Sequence, residues 1–108
     1  MPDRSWQAWY AEIDTQSSQA IVHFWNGREM GWPAVVILAE DQNGAAMAYR
    51  YTKDHEFAGD TWHEGREEAK YALNAEYGSA LGQWIEIPRD ISFADFDRYV
   101  FEPRREEP

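Results

Sequence analysis

The chain contains no cysteine. Disulfides, thiolate nucleophiles and cysteine-ligated zinc sites are therefore excluded, as suits a reducing compartment. Long apolar runs are missing too. The longest clear one, Ala34 to Ala39, falls far short of the ~18 residues a membrane-spanning helix needs. The N-terminal stretch "MPDRSWQAWYAEID" has no basic leader followed by an apolar block, so no signal peptide is expected. The expected location is cytoplasmic, with no membrane role.

Positive charge is also scarce. Ten Lys and Arg face twenty Asp and Glu, for a formal net charge of -10. Phosphate backbones and anionic membranes are bound by basic surfaces, so direct nucleic-acid binding is not expected. A basic protein partner would instead be steered in by the field. Catalytic motifs are absent as well. The sequence has no G-x-S-x-G and neither type of glycine-rich phosphate loop. A metalloprotease helix needs H-E-x-x-H, but "HEGRE" places Glu67 where the second histidine belongs. His23 and His55 lie on other predicted segments. Carboxylates are so abundant that no pair is singled out for glycoside chemistry. No catalytic residue, metal site or cofactor is assigned, and the reading leans against an enzyme.

What remains is enough for one globular domain. The chain has 108 residues, 44% of them hydrophobic and 16% aromatic, including six tryptophans. The domain is expected over 1–101, with residues 1–5 loose and a flexible tail, "EPRREEP", over 102–108. Trp9, Ala11 and Ile13 alternate as in a strand over 9–14, although Trp6, Trp9, Tyr10 and Ile13 also fit one helical face. "AIVHFW" (20–25) is β-branched and aromatic, and predicts a strand. "AVVILAE" (34–40) is apolar without alternation, the mark of a central strand covered on both faces. Asn43-Gly44 signals a hairpin to "AMAYRYT" (46–52), where Met47, Tyr49 and Tyr51 point one way and Ala48 and Arg50 the other. "QWIEIP" (83–88) predicts another strand, and Ser92 with Asp95 is placed to open a short C-terminal helix. The sum is an α+β domain: a mostly antiparallel sheet of about four to five strands with one principal helix packed on one face.

That helix is expected over about 62–77, ended by Gly78. Thr61 and Glu64 have the spacing of a capping box. At about 100° per residue, Trp62, Ala69, Leu73 and Tyr77 form the core stripe, and His63 falls on its border. Glu64, Glu67, Glu68 and Tyr71 face outward. The segment 54–68 holds six carboxylates and one arginine, a formal charge of -5 in fifteen residues. A tyrosine ringed by carboxylates has the makings of a binding hot spot with a polar rim. The candidate partner-binding residues are therefore Glu64, Glu67, Glu68, Tyr71, Asp54, Glu56 and Asp60.

The junction Gly59-Asp60-Thr61-Trp62-His63-Glu64, followed by a helix and Trp84-Ile85-Glu86-Ile87-Pro88, resembles a family of small uncharacterised bacterial proteins. The resemblance covers the middle third of the chain. It implies a small bacterial α+β protein and carries no functional residues with it. In size and charge alone the chain is similar to immunity proteins that neutralise toxins. The expectation is a non-enzymatic protein-binding module for a basic partner. The competing expectation is a small enzyme or ligand-binding protein, with a site between sheet and loops that draws on His23, His55, His63 and nearby acids. Exposed tryptophans equally fit a homodimer surface.

Overall fold

A computed structural model describes residues 6–16 and 24–101. The expected loose N-terminus, most of the expected strand at 20–25, His23 and the tail 102–108 lie outside the described residues, as do the side chains of Phe24 and Trp25.

Five strands form one antiparallel sheet. They are β1 (Gln7–Glu12), β4 (Val35–Glu40), β5 (Ala46–Tyr51), β6 (Phe57–His63) and β7 (Ile85–Glu86), ordered β6-β5-β4-β1-β7. A separate two-stranded hairpin pairs β2 (Phe24–Trp25) with β3 (Arg28–Glu29). Its Asn26 and Gly27 both have positive φ, as a tight hairpin turn requires. Two helices follow the long strands: α1 (Arg66–Tyr77) and a short α2 (Phe96–Phe101). The α+β class holds.

β4 sits at the centre of the sheet, and five of its six residues are buried. Val36 and Leu38 face α1, against Leu73, Tyr77 and Ala69. Ile37 and Ala39 face the other way, against Ile87 and Phe96. The sheet is therefore covered on both sides, which accounts for the unbroken apolar run. The cover on both faces expected for this strand is present: α1 lies on one side, and the C-terminal segment, with Ile91, Tyr99 and Val100 packed behind Phe96, closes the other. Side chains alternate across β5. Ala46, Ala48 and Arg50 turn to α1, while Met47, Tyr49 and Tyr51 turn to α2.

The β4–β5 and β5–β6 turns share one construction. Asp41 N–H donates to the Ala45 carbonyl, Gly44 N–H donates to the Asp41 carbonyl, and Asp41 Oδ1 accepts from the amides of Asn43 and Ala45. Eleven positions later, Thr52 N–H donates to Glu56, His55 N–H donates to Thr52, and Thr52 Oγ1 accepts from Asp54 and Glu56. Gly44 has φ 92° and His55 has φ 69°. His55 thus holds a left-handed conformation that costs a side-chain-bearing residue roughly 1–2 kcal/mol.

The start of α1 differs from the expected one. Residues 61–63 belong to β6, and Gly65 is the N-cap, with no side-chain cap. Pairing of His63 with Ala46 and Trp62 with Met47 extends the ladder through the proposed capping box. Thr61 Oγ1 accepts from Arg50 instead of a helix amide. Trp62 is consequently no core anchor: it stands 60% exposed on the edge strand. From Arg66 onward the helical reading holds. Ala69, Leu73 and Tyr77 are fully buried, and Gly78 ends the helix with φ 54° and its N–H on the Asn74 carbonyl.

Candidate functional site

Glu64, Glu67, Glu68 and Tyr71 come together as expected. All four are exposed on or just before the outward side of α1, and Tyr71 is 79% exposed. The carboxylates of Glu67 and Glu68 lie in the first turn, where the positive end of the helix dipole favours them. The two basic residues of α1 point elsewhere. The Arg66 guanidinium lies 5.0 Å from the centre of the Trp9 ring, and the Lys70 ammonium lies 5.2 Å from it. Lys70 also lies 5.9 Å from the Trp84 ring centre. Arg66 approaches Glu40 at 3.9 Å and Glu67 at 4.0 Å, long contacts at an exposed site that are worth little. The cations of the helix thus roof the flank of the sheet, and its outward face is left acidic.

Asp54, Glu56 and Asp60 do not join that face. Asp60 pairs with Tyr49 and so projects from the opposite side of the sheet. Asp54 and Glu56 sit in the β5–β6 turn, about 20 Å of strand away from Glu64. There they line a cleft of about 450 Å³ with Trp32 and Lys53. The acid that is contiguous in sequence is divided among three surfaces by one strand and one turn.

The histidines are separated by the same strand. His55 is in the turn before β6, and His63 is at its far end. Among the described residues no three His, Asp or Glu side chains are placed to hold a metal ion. His63 has a partner that the sequence did not reveal: its Nε2 lies 2.8 Å from Thr61 Oγ1. Burial first, then the nearby Arg50 charge, lowers its pKa from 6.5. Neutral His63 accepts the Thr61 hydroxyl proton, while that oxygen accepts from Arg50. His55 Nε2 lies 2.8 Å from Asp97 Oδ2 on α2. Its ring stacks on Phe101 at 4.3 Å and 15°.

Arg50 organises the space between α1 and the sheet. Its side chain is 1% exposed. Nε donates to Tyr77 Oη at 2.9 Å, Nη1 donates to Thr61 Oγ1 at 3.2 Å and to the Ala48 carbonyl at 3.3 Å, and Nη2 donates to Glu76 Oε1 at 2.9 Å. Each of the three guanidinium nitrogens thus has a hydrogen-bond partner, as burying a charge demands.

The α2 side of the sheet carries a half-open cavity of about 320 Å³. Tyr49 and Tyr51 form its floor, with Phe57, Phe93, Phe96 and Asp97 around it. The Tyr51 hydroxyl is pushed up to about 12 by burial, reinforced by the negative charges of Asp97 and Asp60. Two of the wall residues, Phe57 and Phe93, remain 46% and 40% exposed. Alternation along β5 places both tyrosines on one face, and the short C-terminal helix expected from Ser92 and Asp95 closes over them with Phe96.

No protein-family model matches the chain, and no curated protein or solved structure does either. The resemblance rests on Gly59–Glu64, the helix after it and Trp84–Pro88 alone. Among the described residues no helix is long and apolar enough to cross a membrane.

Proposed function

We propose that the protein is a non-enzymatic binding module whose outward α1 face, Glu64, Glu67, Glu68 and Tyr71, engages a basic protein partner. One observation carries this reading. Tyr71 stands 79% exposed beside Glu67 and Glu68 while the basic side chains of the same helix are turned onto Trp9. An exposed aromatic offers large apolar area at low entropic cost, and surrounding carboxylates orient a cationic partner on approach. Asp54, Glu56 and Asp60 contribute to the long-range field rather than to the contact. The immunity-type version of the reading has a basic nuclease as partner, with the carboxylates occupying its phosphate-binding surface.

The test is affinity capture from an extract of the source cells, with Tyr71→Ala and Glu67→Lys/Glu68→Lys variants run in parallel. Because all three positions are exposed, the variants should keep the wild-type circular dichroism spectrum. The same partner is expected to be lost from both variants, and from wild type at high salt. An identical captured set from all three proteins would remove this face as the interface.

A further inference from the structure

We propose that the cavity between β5, β6 and the Phe93–Asp97 segment binds a small organic cation bearing an alkylated ammonium group. This goes beyond the helix-face reading and is independent of it, since α1 and the cavity lie on opposite sides of the sheet.

The walls are aromatic and set at steep angles to one another. Tyr51 meets Phe57 with ring centres 6.0 Å apart at 76°, and Phe93 meets Phe96 at 5.6 Å and 77°. Tyr49 meets Phe93 at 5.9 Å and 63°, linking the two pairs. Aromatic rings in different orientations thereby line one space, with Phe93 stacked on Trp6 at 4.5 Å and 22°. Ring faces carry the negative lobe of the quadrupole, so a cation resting on the face of a lining ring is attracted to it. A purely apolar ligand would gain burial alone. Asp97 adds a carboxylate to the lining, and Asp60, opposite Tyr49 in the β5–β6 ladder, adds negative field. A compact, hydrated ammonium would lose too much solvation in such walls, whereas N-methyl groups pack on rings while leaving the charge in place. The volume of about 320 Å³ is near the lower limit for ligand sites, which restricts the ligand to choline-like size.

The geometry also accounts for otherwise costly features. Phe57 and Phe93 are large apolar side chains left partly open where the cavity meets solvent. His55, held at positive φ, ties Asp97 and Phe101 of α2 to the β5–β6 turn and so fixes the wall opposite the sheet. Strain of this kind persists where the surrounding structure uses it.

The experiment titrates the full chain with choline and, separately, with 3,3-dimethylbutan-1-ol. That neutral molecule has the same shape with carbon in place of nitrogen. Binding is read by calorimetry and by aromatic NMR shifts of Tyr49 and Tyr51. Choline is expected to bind about tenfold or more tightly than the isostere. Phe57→Leu, at a half-exposed position, should weaken choline several-fold and leave the isostere nearly unchanged. Asp97→Asn should likewise narrow the gap between the two. Equal affinities would reduce the cavity to an apolar pocket and overturn the proposal, and so would a choline titration that shows no saturable shift. A Tyr71→Ala variant should bind choline as wild type does, so loss of partner capture and loss of cation binding can be told apart.

Discussion

His55 Nε2 lies 2.8 Å from Asp97 Oδ2, joining the turn that opens β6 to the helix that closes the chain's second face. The contact is made from the position that Gly44 fills in the matching β4–β5 turn. His55→Ala should therefore lose the tie and keep the backbone strain, whereas His55→Gly loses both. The glycine variant is expected to be more stable than the alanine variant by about 1 kcal/mol, in urea unfolding at neutral pH. Both variants should show faster amide exchange in α2 than wild type. Equal stabilities for the two would mean that the turn carries no strain at His55.

Arg50 and Glu76 form a 2.9 Å pair of which the arginine is wholly enclosed. Removing one partner leaves the other charge with its desolvation penalty unmet. Glu76→Ala is expected to cost roughly 3 kcal/mol of stability. The double variant Arg50→Met/Glu76→Leu exchanges the ion pair for apolar packing. It should recover much of that loss, less roughly 1–3 kcal/mol for the Tyr77 hydroxyl, which loses both Arg50 and Glu76 as hydrogen-bond partners. A double variant less stable than Glu76→Ala alone would show that the guanidinium does more than satisfy its own burial.

Alternation and continuity in the sequence made most of the sheet readable. The unbroken 34–40 run, the Asn43-Gly44 turn and the 46–52 alternation each encode local geometry that the antiparallel pairing of Val35–Glu40 with Ala46–Tyr51 preserves. The helix end at Gly78 was legible for the same reason: only its backbone φ mattered. The helix start was not. Thr61 and Glu64 satisfy a local capping pattern, but long-range pairing with Ala46–Ala48 claims residues 61–63 for the sheet. Nor did sequence distance foretell how the acid would divide, because alternation along β6 sends Asp60 to one face while the strand's length carries Asp54 and Glu56 away from Glu64. Alternation put Arg50 on the same face as Ala48, but nothing local showed that α1 would enclose it there with Tyr77 and Glu76.

The relocated helix start can be checked by contrasting two side chains. Trp62 is 60% exposed, and Leu73 is fully buried in the cluster with Val36 and Ala48. Leu73→Ala should cost about 2–5 kcal/mol through lost burial and a residual cavity. Trp62→Ala is expected to cost less than about 1 kcal/mol, as surface substitutions do. Thermal and urea unfolding of the two variants settle the matter. A Trp62 loss as large as that of Leu73 would restore the tryptophan to the core.

Stability should also depend on pH through His63. Burial and Arg50 place its folded-state pKa below 6.5, so the folded chain binds a proton less readily than the unfolded chain. The sign follows from linkage. Above the unfolded value both states hold neutral imidazole, and the stabilisation is complete. As pH falls below 6.5 toward the lowered folded pKa, the unfolded state takes up the proton first and stability declines. In the folded state, protonation sets the imidazolium beside Arg50 and ends its role as acceptor for the Thr61 hydroxyl. Isothermal urea unfolding at about pH 7.5 and about pH 5 should therefore show a smaller acid-side loss for His63→Gln than for wild type. The amide can still accept from Thr61 but cannot titrate. Parallel losses in the two proteins would show that His63 contributes nothing to the slope.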